Sequence, residues 1–305
     1  MDCFFSRIRF ILLFLATFPL LSHAAEYSYS ANSKVIGQVQ LATVNKGENL
    51  LAIAKKYDIA SSKIIDANPQ YKNKILHPGD VVIVPTRFIL PKYREGIVVN
   101  LAELRLYYFP LDSNKVYTYP IAVGRIGWRT PTTKTLVYKK EANPIWKVPT
   151  SIRNYTYQTK GYWLPSVVMP GPDNPLGKYA LYLKLSGYLI HGTNDPSSIG
   201  KYVSSGCMRM YAPDIEQLYN LVPIGTSVYI IHHAYKADWH HKELYLESHK
   251  LMDEMANKTD LNHTTAEQAI NDVADKDNAD VNWNRVNQVS QQKQGVPVAV
   301  GKKST

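Results

Sequence analysis

The chain has 305 residues, 45% of them hydrophobic and 20% charged, with a formal net charge of +10 and 2 cysteines. That length suits one large domain with a small one beside it, the apolar fraction is enough for a packed core, and two cysteines exclude a disulfide-stapled scaffold. The charge favours an anionic partner. Nucleic acid is set aside as that partner, because the basic residues lack the interleaved aromatic pattern of a nucleic-acid surface.

The N-terminus, MDCFFSRIRFILLFLATFPLLSHA, has the three parts of a secretory leader. Arg7 and Arg9 supply a short basic region, residues 10–21 an apolar run too short to span a bilayer comfortably, and Ser22-His23-Ala24 a small-x-small cleavage site. Residues 1–24 are therefore expected to be a signal peptide cleaved after Ala24. No later stretch approaches membrane-spanning length, so stable membrane insertion is not expected after cleavage. Export makes an anionic cell-wall polymer or membrane surface the expected partner and the periplasm the expected location.

Residues 25–40 are polar and read as a flexible segment. A strand over 41–44 follows, then a turn at Lys46-Gly47-Glu48. Asn49 can cap a helix that runs to Tyr57 and puts Leu50, Ile53, Ala54 and Tyr57 on one face. Ser61 or Ser62 can cap a second helix over 63–67, ended by Asn68-Pro69. His77-Pro78-Gly79-Asp80 then turns into a strand over 81–84. The stretches KGENLLAIAKKY, IIDANPQ and PGDVVIVP cover this βααβ unit, residues 41–85, and resemble the lysin motif (LysM). The resemblance implies a domain that binds N-acetylglucosamine-containing glycans in a groove beside the first helix and the second loop.

Residues 86–95, with Pro91, read as a linker. From 96 to 233 the chain becomes a series of short strands with Gly and Pro punctuation. IVVNLAELRLYYF is a hairpin around Ala102-Glu103; KVYTYPIAVG and TKTLVYKKEANPIWKVP continue in the same style. Strands are expected over 180–185 and 188–191, a short helix over 214–219 and a closing strand over 226–232. The pattern predicts a mainly β fold, a sandwich or barrel-like domain. Residues 234–305 read as a mixed extension: a hairpin strand in DWHHKELYLESH, helices over 265–274 and 281–289, and a frayed end at GKKST.

Cys3 leaves with the leader, so Cys207 is the only retained thiol. Outside the cytoplasm a lone thiol risks oxidation; it is either a buried apolar filler or a group whose chemistry is used. Its neighbours favour chemistry. In YLIHGTNDPSSIGKYVSSGCMRM, His191 closes an apolar strand, and sixteen positions on Cys207 follows Gly206. A loop of that length can bring a strand-end histidine against a cysteine, and a thiol nucleophile needs such a base. Gly206 lets backbone N–H groups of Ser205, Gly206 and Cys207 converge as an oxyanion hole. His232-His233 and His240-His241 do not make a metal site, because adjacent residues on a strand point to opposite faces. No metal or organic cofactor is expected.

His191-Gly192, the spacer, and Ser204-Ser205-Gly206-Cys207-Met208-Arg209 resemble the catalytic motif of the L,D-transpeptidases (YkuD-type domain), except that Ser205 stands where that motif usually has histidine. VVNLAELRLYYFP, TPTTKTLVYKKEANPIWKVP, MPGPDNPLGKYAL and the GVPV near the end resemble further blocks of the LysM-bearing branch, so the likeness covers nearly the whole chain after the leader. It implies that Cys207 attacks a peptidoglycan tetrapeptide stem between its diamino acid and the terminal D-alanine, with His191 as base and the Gly192 carbonyl orienting the imidazole. Ser205 and Gly206 would serve the oxyanion hole, and Ser204, Arg209, Thr193 and Asn194 would line the substrate site. The acyl group would pass to a stem amine in a 3→3 cross-link, or to a lysine of an outer-membrane lipoprotein. Two other readings stay open: water as acceptor, an L,D-carboxypeptidase, or an inert peptidoglycan-binding protein.

Overall fold

The computed structural model describes residues 25–30, 33–251, 265–274 and 279–304; the leader expected over 1–24 lies outside the described residues. The centre is a nine-stranded sheet in the order Ala25–Ser28, Lys115–Pro120, Arg105–Phe109, Gly96–Asn100, Ser227–Ile231, Thr133–Ala142, Tyr179–Leu183, Leu189–His191 and Met208–Arg209. Two neighbouring pairs are parallel: Gly96–Asn100 with Ser227–Ile231, and Leu189–His191 with Met208–Arg209. The fold is mainly β, as the strand pattern predicts.

Side chains alternate across a strand, and here both faces are buried. Ile97 and Val99 face one core, with Leu181, Ile190, Met208, Ile215 and Leu218. Val98 faces the other, with Tyr107, Phe109 and Tyr229, and that core also holds Ile53, Ile59, Ile64, Val82 and Val84. The βααβ unit therefore packs on the back of the central sheet. Its own elements match the expected ones: strands Gln40–Thr43 and Val81–Val84 pair antiparallel, and helices Leu50–Lys56 and Ser61–Ala67 lie between them. Asn49 caps the first helix by accepting from the Ala52 N–H at 2.9 Å. Ser61 does not cap the second. It is already inside the helix, and its hydroxyl donates to the Ile199 carbonyl at 3.1 Å.

Several segments differ from their sequence reading. Residues 25–40, expected to be flexible, contain the edge strand Ala25–Ser28, paired with Lys115–Pro120, and the strand Val35–Gly37. The latter pairs with Arg87–Ile89, inside the expected linker. The polar composition hid a Tyr-x-Tyr alternation: Tyr27 packs edge-on against Phe88 and Tyr29 against Phe109. Thr150–Lys160, to which the sequence reading assigns no element of its own, is a helix closed by Gly161 at φ +78°. GKKST, read as frayed, contributes to strand Val298–Lys303, which joins hairpin Tyr235–His240 and Glu243–Ser248 and strand Ala279–Val281 in a second sheet. Helices Ala266–Ala274 and Trp283–Gln292 cover it, with Trp239, Leu244, Leu246, Ile270, Val286 and Val300 in its core.

A buried ionic cluster joins this extension to the central sheet. The Lys236 ammonium donates to Glu103 and lies 3.2 Å from Glu247; His249 Nε2 lies 2.7 Å from Glu247. Tyr107 and Asn100 both donate to Glu103 at 2.8 Å, and the Ile89 N–H donates to Glu247 at 2.7 Å. Removing the cation would leave two carboxylates facing each other out of water. Lys236→Met is expected to destabilise the protein by about 3–5 kcal/mol in urea unfolding; a change below about 1 kcal/mol would show that the cluster is not a structural joint.

Candidate active site

Parallel pairing of Leu189–His191 with Met208–Arg209 sets the site. Ile190 lies opposite Met208 and His191 opposite Arg209. Ile190 and Met208 point into the core, both fully buried. By alternation, His191, Cys207 and Arg209 share the other face. His191 at the end of one strand and Cys207, the residue just before the next, are thus brought to the same edge of the sheet.

His191 is buried, and its Nδ1 lies 2.7 Å from the Gly192 carbonyl. A carbonyl can only accept, so Nδ1 carries the proton and Nε2 is left as the basic nitrogen. Gly192 has little room for a side chain: a Cβ would meet the Leu176 carbonyl at 3.2 Å and Ile215 at 3.3 Å. Burial, reinforced by the Arg209 charge, pushes the imidazole down to about 3, against the carbonyls of Gly192 and Leu176 that favour protonation. His191 is therefore neutral at any physiological pH. The Cys207 thiol is partly exposed and makes a 3.5 Å contact with the Gly187 carbonyl. Burial pushes it above its ordinary value, while a backbone contact at Leu189 and the Arg209 charge pull it down.

The turn before the thiol is braced from three sides. Ser204 Oγ donates to the Cys207 carbonyl at 2.5 Å and accepts from the Gly206 N–H at 3.1 Å. Thr130 Oγ1 donates to the Gly206 carbonyl at 2.6 Å and accepts from the Gly124 N–H at 3.0 Å. Gly206 sits at φ +111°, and a Cβ there would meet the Tyr188 ring at 2.8 Å. Arg125 Nη1 donates to Ser205 Oγ at 3.0 Å and to the Ser204 carbonyl at 3.2 Å. Its guanidinium lies over Trp128 and Tyr155, at 4.9 and 4.4 Å from the ring centroids.

Arg125, Trp128, Thr130, Tyr155 and Tyr188 were not picked out in the sequence as site residues. The signal available for three of them was GRIGWRTP, a glycine-punctuated stretch just after a strand. Of the residues that were, Ser204 shapes the turn, and Ser205 turns its hydroxyl to Arg125. The Gly206 N–H, expected in an oxyanion hole, is engaged by Ser204, so its contribution there needs correcting. Thr193 Oγ1 accepts from the Asp195 N–H at 3.0 Å, and Asn194 donates to the Asp173 carbonyl at 3.2 Å; both shape the loop after His191. Arg209 has a buried Nε without a hydrogen-bond partner among the described residues. Burial lowers its pKa, and the Asp195 carboxylate opposes that.

Among the described residues, one group with metal-ligating atoms assembles, Glu103, Glu247 and His249. It is the cluster that already holds the Lys236 ammonium. A cation in that place competes directly with a metal ion, so this donor set is a salt-bridge site.

The sequence profile of the L,D-transpeptidase catalytic domain (YkuD) matches residues 94–230, and that of the LysM domain residues 42–85. The chain is similar to the Escherichia coli K12 protein named "Probable L,D-transpeptidase YcfS", 44% identical over 66% of this chain and 64% of that protein. It is similar to "Probable L,D-transpeptidase YbiS" of the same organism, 40% identical over 74% of this chain and 76% of that one. To "Probable L,D-transpeptidase ErfK/SrfK" of Salmonella typhimurium it is 36% identical over 88% of both chains. The match thus spans just under two thirds of YcfS and more of the other two. With a partly open thiol and a tautomer-locked imidazole on one face of its sheet, and with these relatives, the chain belongs to the L,D-transpeptidase family and carries a LysM domain.

Proposed function

We propose that the protein is an exported, periplasmic peptidoglycan L,D-transpeptidase with Cys207 as nucleophile and His191 as base. The observation that carries this reading is the parallel register that sets His191 opposite Arg209, two residues past Cys207, with Nδ1 held by Gly192 so that Nε2 is the basic nitrogen. Both groups are neutral at rest, so the reaction does not start from a preformed thiolate–imidazolium pair. As sulfur attacks the carbonyl between the diamino acid and D-alanine, its proton passes to Nε2. Collapse of the tetrahedral intermediate breaks the peptide C–N bond, and the imidazolium returns the proton to the leaving D-alanine amine. An incoming amine then gives a proton to Nε2, attacks the thioester carbonyl and expels the sulfur, which is reprotonated.

Cys207 precedes the strand ladder, which begins at Met208, so its N–H is the candidate oxyanion donor. Arg209, on the same face, suits a stem carboxylate. The acceptor is the side-chain amine of a second stem or a lysine of an outer-membrane lipoprotein. The LysM domain supplies affinity for glycan strands and raises the local concentration of stems.

Cys207→Ala and His191→Gln should each lower D-alanine release from a soluble tetrapeptide by several orders of magnitude. Ser205→Ala should retain activity within about tenfold, and Ser204→Ala should cost more, because Ser204 holds both the Gly206 N–H and the Cys207 carbonyl. A dead Ser205 variant beside an active His191 variant would reverse the assignment of the base. The raised thiol makes a separate prediction. The group is protonated below its folded pKa, so iodoacetamide should modify Cys207 faster as pH climbs towards and past 9.0, its ordinary value. A rate already level from neutral pH would mean a preformed ion pair.

A further inference from the structure

The turn between the two LysM helices touches the catalytic half at three points. The Ser61 hydroxyl donates to the Ile199 carbonyl at 3.1 Å. Gly200 sits directly beneath Ser61: at φ +85°, a Cβ on it would stand 2.3 Å from the Ser61 nitrogen. Ile199 and Gly200 belong to the loop that joins His191 to Cys207, and Gly200 ties that loop to the sheet by donating to the Ile121 carbonyl at 3.1 Å. The third point is Asp58. Its backbone carbonyl accepts from Arg105 Nη2 at 2.8 Å, and its carboxyl meets the carboxyl of Asp214. Asp214 is in the first turn of helix Ala212–Leu221, and Ile215 of that helix backs Gly192, the residue that orients His191.

Both carboxyls are buried, and Oδ2 of each lacks a hydrogen-bond donor. Two ionised carboxylates in contact out of water would repel strongly. A proton on Asp214 resolves both observations: that carboxyl donates to Asp58, and the negative charge Asp58 carries once it ionises is balanced by Arg105. The other titratable groups facing the pair are Tyr27, Tyr119 and Tyr211, all held neutral by burial.

We propose that residues 58–61 of the LysM domain are a positioning element of the catalytic site, bracing the His191–Cys207 loop through Ser61 and the helix behind it through an acid–carboxylate pair of Asp58 and Asp214. The inference rests on the catalytic roles of Cys207 and His191. It gives the glycan-binding module a second role, since its docked turn sets the geometry in which thiol and imidazole meet. Glycan affinity and turnover of a soluble stem are then coupled through shared structure.

The pair also gives the joint a pH dependence of known sign. Asp58 is raised from its ordinary 3.8 to about 6 by burial, against the pull of Arg105. Between those values the unfolded chain has released a proton that the folded chain keeps. The stability that Asp58 contributes is therefore complete below its ordinary value and is lost as pH rises through its folded one, while Asp214, raised well above its own ordinary value, keeps the shared proton. Asparagine at 58 imitates the protonated acid and has no proton to lose.

The test uses the full-length mature protein with Ser61→Ala, Asp58→Asn and the double variant Asp58→Ala/Ser61→Ala, each checked for folding. The double variant should lose about tenfold in kcat on a soluble tetrapeptide with KM within about twofold, and Cys207 should be alkylated at a different rate. Sedimentation with sacculi should be unchanged. Asp58→Asn should keep kcat near the wild-type value, and its Tm relative to wild type should rise between pH 3.8 and about 6. If a folded double variant keeps soluble-substrate kcat and thiol reactivity, the turn only docks the module and the proposal fails. A flat Tm difference for Asp58→Asn would overturn the pH dependence of the joint, because it would mean that Asp58 is not raised by burial. Should the double variant not fold, Ser61→Ala carries the kinetic arm alone, with about a threefold loss of kcat expected and no loss overturning it. Residual turnover by Cys207→Ala would instead indict the catalytic assignment, so the two failures are distinguishable.

Discussion

The parallel register between Leu189–His191 and Met208–Arg209 is the constraint on which the site depends. Side chains alternate, so a slip of one residue would turn Cys207 into the core and Met208 into the cleft. What prevents the slip is apolar: Ile190 and Met208 sit opposite each other and are both fully buried. A parallel pair cannot be closed by a tight hairpin and needs a long connection. The loop between His191 and Cys207 is that connection, and its length is a requirement of topology before it is one of chemistry.

Electrostatics near the thiol follow from burial more than from overall charge. The chain carries +10, yet the charged group that acts on both His191 and Cys207 is one residue, Arg209, on their own face. Its effect is to favour the neutral imidazole and the anionic sulfur. Burial agrees with it at His191 and overrides it at Cys207. Burial thus favours the uncharged form of both side chains, with the Arg209 guanidinium close enough to act on each. The hydrogen bonds of the preceding turn serve rigidity. Ser204, Thr130 and Arg125 each hold a backbone atom or hydroxyl of residues 204–207. That also accounts for a serine being tolerable at 205: the side chain there is tied back to Arg125, while the chain geometry is set by its neighbours.

Much of this was legible in the sequence. The βααβ unit, the strands around His191 and the helix after Cys207 all have local signals in caps, turn residues and apolar alternation, and His191 and Cys207 stand out as candidates through a strand-end histidine and a single retained thiol. What was missed depends on tertiary contact. YSYS reads as polar until Tyr27 and Tyr29 find Phe88 and Phe109. Thr150–Lys160 is rich in Thr and Tyr, which favour strands, and buries only Thr156, so it lacks the apolar stripe that would mark a helix. Arg125 and Thr130 are far from Cys207 in the chain, and the glycine-punctuated stretch that holds them marks a turn of its own without announcing the one they brace. Ser61 is instructive in another way. Serine before a helix normally signals a cap, but the hydroxyl was needed across a domain boundary.

The same logic explains why the LysM domain is fused so closely. The strands Gly96–Asn100 and Ser227–Ile231 are parallel neighbours at the middle of the sheet, and their sequences, GIVVN and SVYII, are apolar at consecutive positions. A strand with one wet face would alternate; consecutive apolar residues require cover on both sides. Leu181, Ile190 and the helix after Cys207 cover one side. Among the described residues the catalytic half has no comparable layer for the other, and Ile53, Ile59 and Ile64 supply it. A module that completes the core of the sheet cannot also swing freely on a tether, so its glycan groove and the thiol keep a fixed relation.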